Sequence, residues 1–271
     1  MNKGNQTLLW VLFLFFTLVL LTYFLFPGDI NRSFPTRIAY LLVSFSPIVA
    51  IAFALKFYGL DQGHGRAYLL VLFSFIAAFI GDFIWFVFDY LNIEPFPSIA
   101  DYFYILWYPF LFMGLLREWK MSSAKLSPAS FASKMLMFFI TFVLILLVGY
   151  FGIYLAYSSD VSFLENAVAI SYSVGDLILL SLALFVLRIM NEFQGGYLFY
   201  PWLGIFVGLC LMLIADIIFS IFQVPYDEGV FSFVISLDGI WMASLLAFAY
   251  GFGSLANTIK LVQDRAKMKA T

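Results

Sequence analysis

Long apolar runs fill most of this chain, and polar residues are confined to short stretches between them. Each run reaches about 18 residues or more, the length that an α-helix needs to cross the hydrocarbon core of a bilayer. The runs do not alternate apolar and polar residues with a period of two, as the strands of a membrane β-barrel do. The pattern therefore predicts eight transmembrane helices, over residues 8–26, 38–57, 67–89, 99–116, 135–157, 166–188, 199–223 and 231–255.

The composition agrees with an all-α integral membrane protein. Hydrophobic residues make up 64% of the chain and charged residues 11%, with a mean hydropathy of +1.00. A soluble domain of this size needs more polar surface. The first run, "LLWVLFLFFTLVLLTYFLF", is too long for a signal peptide and lacks a small-residue cleavage site. No stretch between the runs exceeds about 20 residues, so residues 1–271 are expected to form a single transmembrane domain with short termini.

The basic residues predict an orientation. With the N-terminus in the cytoplasm, twelve of the fourteen Lys and Arg residues fall in cytoplasmic segments, and Arg32 and Arg37 flank the first external loop. This bias predicts a multi-pass protein of the cell membrane with both termini in the cytoplasm. The external side is acidic, with Asp29, Asp89, Glu94, Asp160, Glu165, Asp227 and Glu228. The net charge of −2 does not favour nucleic-acid binding, and the expected partner is the lipid bilayer.

Residues that bind cofactors or metals are scarce. The single cysteine, Cys210, lies in an apolar run, and the single histidine, His64, lies in "DQGHGR", where a solvated loop position is expected. The chain contains no G-x-S-x-G, H-E-x-x-H, Walker or C-x-x-C motif, and "GFGS" at 251–254 lacks the context of a phosphate loop. We therefore expect no cofactor and no metal site, and the sequence does not decide whether the protein is an enzyme.

Apart from Asp89, the last residue of the third span, five carboxylic acids lie inside the predicted spans: Asp82, Asp101, Asp176, Asp216 and Asp238. The helix directions place Asp176 near the middle of the membrane and the other four in its outer half. A charge facing lipid costs about 2.5–3.5 kcal/mol, so these side chains should face the bundle interior. The only basic residues within the predicted spans, Lys56 and Arg188, lie at the cytoplasmic ends, so no Lys, Arg or His is expected to pair with these acids. Each should be protonated, hydrated or bound to a cation, and at least one should be neutral at pH 7.

Structural roles are the alternative for each of these acids. Asp101 follows Pro97 and Ser98 in "PSIAD", where it would cap the fourth helix, and Asp238 follows Ser236 at the start of the eighth. The other three lie too deep to cap a helix, and for them the alternative is a hydrogen bond between helices.

A faint internal repeat relates the two halves of the chain. "IAAFIGDFIWFVF" around Asp82 is similar to "CLMLIADIIFSIF" around Asp216, and "SIADYFYILW" to "ISLDGIWMAS". The intervals are similar, 134 residues from Asp82 to Asp216 and 137 from Asp101 to Asp238. Four spans separate the copies, which favours two parallel four-helix halves and places Asp82 and Asp216 beside the same central cavity.

Aromatic residues are 21% of the chain and crowd the segment from 81 to 109, where Pro109 should kink the fourth helix. An interfacial belt would explain them, and so would a cavity whose carboxylates accept hydrogen bonds from Tyr and Trp. The cavity hypothesis predicts ligand-binding residues around an acid-lined, outward-facing site. These are Asp82, Trp85, Asp101, Tyr104, Trp107, Asp176, Asp216, Asp238 and Trp241.

Three segments resemble the multi-span N-terminal sensor regions of archaeal and bacterial histidine kinases and diguanylate cyclases. They are "PSIADYFYILWYPFLFMGLL" (97–116), "YSVGDLILLSLALFVLR" (172–188) and "LDGIWMASLLAFAYGF" (237–252). The resemblance covers about residues 70–255. It implies a sensor-like or ligand-binding module, and because only about 15 residues follow the last span here, we expect this module to stand without an output domain. A membrane-protein partner or a signalling kinase would then complete the pathway, with this chain as an accessory subunit.

A weaker resemblance is to the eight-span lysoplasmalogenase family, on the motifs "IGD" (80–82) and "IAD" (214–216). It implies a membrane lipid hydrolase in which Asp82 and Asp216 are the acid–base pair. A proton- or cation-coupled transporter is the third hypothesis, because intramembrane carboxylates also suit that function.

Overall fold

The computed structural model describes residues 3–26, 34–60, 63–91, 93, 96–123, 130–159, 161–192 and 198–270. Its eight long helices overlap all eight predicted spans. They are α1 (Lys3–Leu25), α2 (Phe34–Tyr58), α3 (Gly63–Tyr90), α4 (Ile99–Ser123), α5 (Phe131–Leu147), α6 (Phe163–Glu192), α7 (Phe199–Asp227) and α8 (Phe231–Ala270), and α5 continues as a π-helical segment, Val148–Tyr154. The described residues contain no β-strand.

All eight helices are long and apolar enough to cross a membrane. Apolar side chains cover the outer surface of the bundle, as lipid requires, and helices satisfy their own backbone hydrogen bonds inside the hydrocarbon core. The chain is an all-α multi-pass membrane protein, as the apolar runs predict.

Six helices form a closed ring, in the order α2, α3, α4, α6, α7, α8 and back to α2. The other two are peripheral: α1 packs on α8 and α2, and α5 with its π-helical segment packs on α6 and α7. Their exposure fits this position. Only 11% of the residues in the apolar stretch of α1 are buried inside the bundle, and only 17% of those in the apolar stretch of α5 with its π-helical segment. A ring of six helices leaves room for a core and a cavity along its axis.

The ring repeats as the two sequence copies predict. In the repeat, α2, α3 and α4 correspond to α6, α7 and α8. Each of the six neighbouring pairs in the ring therefore has an equivalent neighbouring pair in the other half. The peripheral helices depart from the repeat, because α1 lies beside α8 and α2, whereas α5 lies beside α6 and α7. The repeat therefore describes the ring and not the whole bundle.

Large side chains fill the middle of the ring. Phe75, Phe248 and Phe252 are at most 1% exposed, and the Phe75 ring centroid lies 5.0 Å from that of Phe248 and 5.9 Å from that of Phe252. Leu111 and Leu115 of α4 are equally buried beside them. This packed core separates one end of the ring, where the aspartates lie, from the other end.

Candidate functional site

A cavity of about 130 Å³ opens at the end of the ring where α3 and α7 finish and α4 and α8 begin. That volume has room for several water molecules or a small ligand. Eight of the nine predicted ligand-binding residues line it, namely Asp82, Trp85, Asp101, Tyr104, Trp107, Asp216, Asp238 and Trp241. Asp82 and Asp216 thus line the same cavity, as the repeat predicts, and their side chains face the interior of the bundle.

The first wall of the cavity is built around Asp82 on α3. Its Oδ1 accepts a hydrogen bond from the Tyr104 hydroxyl of α4 at 2.8 Å, and its Oδ2 accepts one from the Ser44 hydroxyl of α2. Gly81 makes this possible, because a Cβ atom there would lie 2.7 Å from the Tyr104 ring. Two neutral donors from two neighbouring helices therefore surround a single carboxyl group.

The second wall is built around Asp216 on α7. Its Oδ1 accepts a hydrogen bond from the Trp241 indole N–H of α8 at 2.8 Å, and its Oδ2 lies 3.4 Å from the Tyr108 hydroxyl of α4. The same hydroxyl is 3.1 Å from the Tyr172 carbonyl oxygen. Gly175 lets Tyr108 approach α6, since a Cβ atom at this glycine would overlap the Tyr108 ring.

The two walls share one equivalent contact. Tyr104 stands three residues after Asp101, and Trp241 stands three residues after Asp238, so the donors to Asp82 and Asp216 occupy equivalent positions. This repeated contact, together with the ring of helices, supports two structurally related halves.

Asp101 caps α4, as one of the two alternatives predicts. The Ser98 backbone N–H donates to its Oδ2 at 2.5 Å, while the Ala100 backbone N–H donates to the Ser98 hydroxyl at 3.1 Å. This reciprocal arrangement is a capping box. The remaining oxygen of Asp101 accepts a hydrogen bond from the Tyr172 hydroxyl of α6. Asp101 therefore stabilises the helix start and the contact between α4 and α6.

Asp238 is not a cap but the centre of a buried ionic cluster. Its oxygens accept hydrogen bonds from the Tyr23 hydroxyl at 2.7 Å and the Tyr226 hydroxyl at 2.8 Å. Arg37 Nη1 lies 3.8 Å from Asp238 Oδ2, and Arg37 Nη2 lies 2.7 Å from Asp89 Oδ2. This cluster links α1, α2, α3, α7 and α8.

The expectation that no basic residue pairs with the intramembrane acids is wrong. The predicted second span begins at residue 38, but α2 begins at Phe34, one turn earlier, and includes Arg37. The side chain is only 9% exposed and lies among carboxyl groups. Asp89, which the sequence assigns to the external side at the end of the third span, is in the last turn of α3 and completes this ion pair.

The aromatic residues of the segment from 81 to 109 divide between cavity and surface. Trp85, Tyr104, Trp107 and Tyr108 line the cavity, whereas Tyr102 is 72% exposed, as expected for an interfacial belt. Further rings join them, with the Phe219 centroid 5.6 Å from those of Phe96 and Trp241 and 6.3 Å from that of Trp85. The belt therefore accounts for fewer of these residues than the cavity does.

Asp176 is the one predicted ligand-binding residue that is not on the cavity wall. It is fully buried in α6, next to Asp216 and Tyr108, and therefore directly behind the wall. In the described part of the chain neither of its carboxyl oxygens has a hydrogen-bond partner.

Five further polar side chains line the cavity in addition to the predicted ligand-binding residues: Arg37, Tyr40, Tyr108, Tyr172 and Tyr226. The repeat contained a signal for two of them, because Tyr40 and Tyr172 both stand four residues before a polar position, Ser44 and Asp176. Nothing in the pattern indicated that Tyr226, after Pro225 at the end of α7, would turn back to Asp238.

A second polar cluster lies at the opposite end of the ring. His64 is not in a loop but in the first turn of α3, where its side chain is 39% exposed and its Nδ1 lies 2.8 Å from an oxygen of the buried Glu118. The Tyr58 ring stacks on His64 and on Tyr68, with centroid distances of 5.5 Å and 5.1 Å. This cluster joins the ends of α2, α3 and α4.

Within the residues that the structure describes, no three His, Cys, Asp or Glu side chains converge as a metal ion requires. A comparison of the chain with protein-family models, curated proteins and solved structures found no match.

Proposed function

We propose that this protein is a sensor-like membrane module that binds a small organic cation in the cavity between Asp82 and Asp216. The observation that carries the proposal is the combination of these two carboxyl groups with the indole rings of Trp85, Trp107 and Trp241 around one space. Carboxylates attract a positive charge, and aromatic faces attract an alkylated ammonium group through their quadrupoles.

The charge around the cavity supports a cationic ligand. Four carboxyl groups line it, those of Asp82, Asp101, Asp216 and Asp238, against one guanidinium group among the described lining residues. Arg37 is already paired with Asp89 and Asp238 on one side. Asp82 and Asp216 have only neutral donors, so a bound cation would lower the cost of burying their charge.

The walls favour an organic cation over an inorganic one. Trp85, Phe96 and Phe219 present apolar rings that hydrate poorly, and the carboxyl groups of the two walls belong to separate clusters. A metal ion would need three or more oxygens in one coordination sphere. An ammonium group with alkyl substituents requires less, since it can contact a carboxylate on one side and rings on the others.

The packed core supports binding and sensing over passage across the membrane. Phe75, Phe248 and Phe252 fill the ring between the cavity and the far end. A transporter would have to open this core during every cycle. The hydrolase hypothesis has no comparable support, because Asp82 and Asp216 each bond to donors of their own wall.

We further propose that the cavity opens to the outside of the cell membrane and that both termini lie in the cytoplasm. The concentration of Lys and Arg in one set of connecting segments supports this orientation. Ligand binding would then be reported across the ring to the His64–Glu118 end, where a membrane-protein partner or a signalling kinase would respond.

Tryptophan fluorescence provides the test, because three indoles line the site. The purified protein in lipid nanodiscs is titrated with choline chloride, with sodium chloride at equal ionic strength and with 3,3-dimethyl-1-butanol, which has nearly the shape of choline but no charge. We expect a saturable change with choline alone. Asp82→Asn should weaken the response at least tenfold, while Asp264→Asn, at an exposed site on α8, should leave it unchanged. An equal response to the neutral alcohol would refute the proposal.

A further inference from the structure

Asp176 poses a specific problem in this structure. Its side chain is fully buried near the middle of α6, and both carboxyl oxygens are without a hydrogen-bond partner in the described residues. Its closest charged neighbour is Asp216, and the Tyr108 hydroxyl is also adjacent. Two ionised carboxylates are both acceptors, so no hydrogen bond can join them until one of them is protonated.

The other half of the molecule shows what this position does. Asp82 accepts a hydrogen bond from Ser44 of α2, and the equivalent carboxyl group, Asp216, has Asp176 of α6 beside it. Ser44 follows Tyr40 by four residues, and Asp176 follows Tyr172 by four, so the two positions correspond. A serine hydroxyl always has a proton to donate. An aspartate in the same place donates only when it is protonated.

We propose that Asp176 and Asp216 hold one proton between them, in a hydrogen bond equivalent to that from Ser44 to Asp82, and that a cation bound beside Asp216 expels it. The first part stands on the structure alone, and the second rests on the proposed function. The site would then exchange one proton for one organic cation, and ligand binding would depend on external pH.

The surroundings of the pair favour a single shared proton. From α4 it faces the Tyr108 hydroxyl, with Asp101 further away behind Tyr172 of α6. From α8 it faces the Trp241 indole, which donates to Asp216 and does not titrate. The π-helical segment after α5 brings Gly152 against Ser173 and adds no charge. Among the described residues the basic side chain nearest the cavity, Arg37, pairs with Asp89 and Asp238 instead.

The exchange balances in charge. Before binding, the pair has one proton and a net charge of −1. When the cation arrives beside Asp216, the second carboxyl group loses its proton to water in the cavity, and the proton leaves through the cavity opening. The cation then faces two carboxylates, so the total charge of the site is the same before and after binding.

The presence of the proton shared by Asp176 and Asp216 is tested without any ligand. Infrared spectra of the protein at pH 7 should contain the carbonyl band of a buried protonated carboxyl group. Asp176→Ser, which recreates the Ser44 arrangement, should reduce that band, whereas Asp82→Asn should leave the contribution of the pair in place. Thermal unfolding in detergent checks that both variants fold. An Asp176→Ser protein that folds and retains the full band would overturn the shared proton.

The exchange is tested with choline chloride. Calorimetric titrations in two buffers of different ionisation enthalpy should show about one proton released per choline bound, and none for Asp176→Ser. Over the pH range in which the proton is released, the affinity should rise about tenfold per pH unit. Choline binding without proton release would overturn the exchange alone. Absence of choline binding would overturn the proposed function, and the infrared band would still decide which group holds the proton.

Discussion

At the scale of single residues, the intramembrane aspartates are held by phenol and indole groups. Tyr104 donates to Asp82, Tyr172 to Asp101, Trp241 to Asp216, and Tyr23 and Tyr226 to Asp238. Hydrogen bonds to charged groups contribute about 1.5–3 kcal/mol each, roughly twice the value for neutral pairs. An aromatic donor also buries a large apolar ring, which suits a site inside the membrane.

Arg37 is the residue whose replacement should be most costly. Arg37→Gln leaves the buried Asp238 and the partly buried Asp89 without their cation, and breaking a buried ion pair costs about 3–5 kcal/mol. We expect a large drop in thermal stability in detergent. Adding Asp89→Asn should restore part of that loss, because a neutral amide no longer needs a cation, and the double-mutant cycle measures the coupling. Losses that simply add would show that Arg37 and Asp89 do not interact.

At the scale of elements, the kinked end of α7 forms part of the cavity wall. Backbone angles at Phe222 leave the helical range, with φ −118° and ψ 30°, three residues before Pro225. A proline inside a helix removes one backbone hydrogen bond and clashes with the preceding turn, which explains the kink. The kinked segment brings Tyr226 to Asp238 and its ring centroid to 5.8 Å from that of Trp241.

Pro225→Ala should straighten this segment and withdraw Tyr226 from Asp238. In the parent protein, Tyr226→Phe removes a buried hydrogen bond to a carboxyl group and should cost about 1–3 kcal/mol of stability. In the Pro225→Ala background the same change should cost little, because the bond is already lost. Thermal unfolding of the four proteins measures this. Equal costs of Tyr226→Phe in both backgrounds would show that Pro225 does not position the hydroxyl.

At the scale of the whole molecule, the ring has two polar ends and a packed apolar middle. The aspartate cavity lies at one end, and the His64–Glu118 pair, with its Tyr58 and Tyr68 stack, lies at the other. Tyr68 also contacts Phe252 of the core, with a centroid distance of 6.2 Å, and Phe252 contacts Phe75. A continuous set of aromatic contacts therefore joins the two ends.

The proposed orientation is tested by labelling single cysteines in intact cells. With Cys210 replaced by alanine, a cysteine at Ser159 should react with a membrane-impermeant maleimide added outside. A cysteine at Ser122 should react only after the cells are opened. The basic residues between the fourth and fifth helices favour this outcome. Labelling of the cysteine at Ser122 from outside would show the opposite orientation, with the cavity facing the cytoplasm.

Much of the fold could be predicted because the bilayer imposes a simple rule. Apolar runs of sufficient length must be helices, so the number and approximate limits of the helices followed from the pattern. The ends of the helices were harder to predict. The apolar criterion missed the first turn of α2 with Arg37, the first turn of α3 with His64 and the last 15 residues of α8, because polar residues at a helix end look like a loop.

The composition of the cavity was partly visible in the sequence. A buried carboxyl group must avoid lipid, so Asp82, Asp101, Asp216 and Asp238 could be assigned to the interior, and the repeat brought Asp82 and Asp216 together. The donors could not be assigned in this way. Tyr23 lies 215 residues from Asp238 along the chain, and no local pattern indicates such a pair.

The sequence by itself determined that this is a membrane protein of eight helices with acids in its interior, because hydrophobicity and the cost of burying charge act on each segment separately. Only the tertiary structure decided which donor serves which acid, that Arg37 pairs with Asp89 and Asp238, and that the buried Asp176 lies directly behind Asp216. Those outcomes depend on how the six helices of the ring and the peripheral α1 rotate and pack, which is set by many weak contacts acting together.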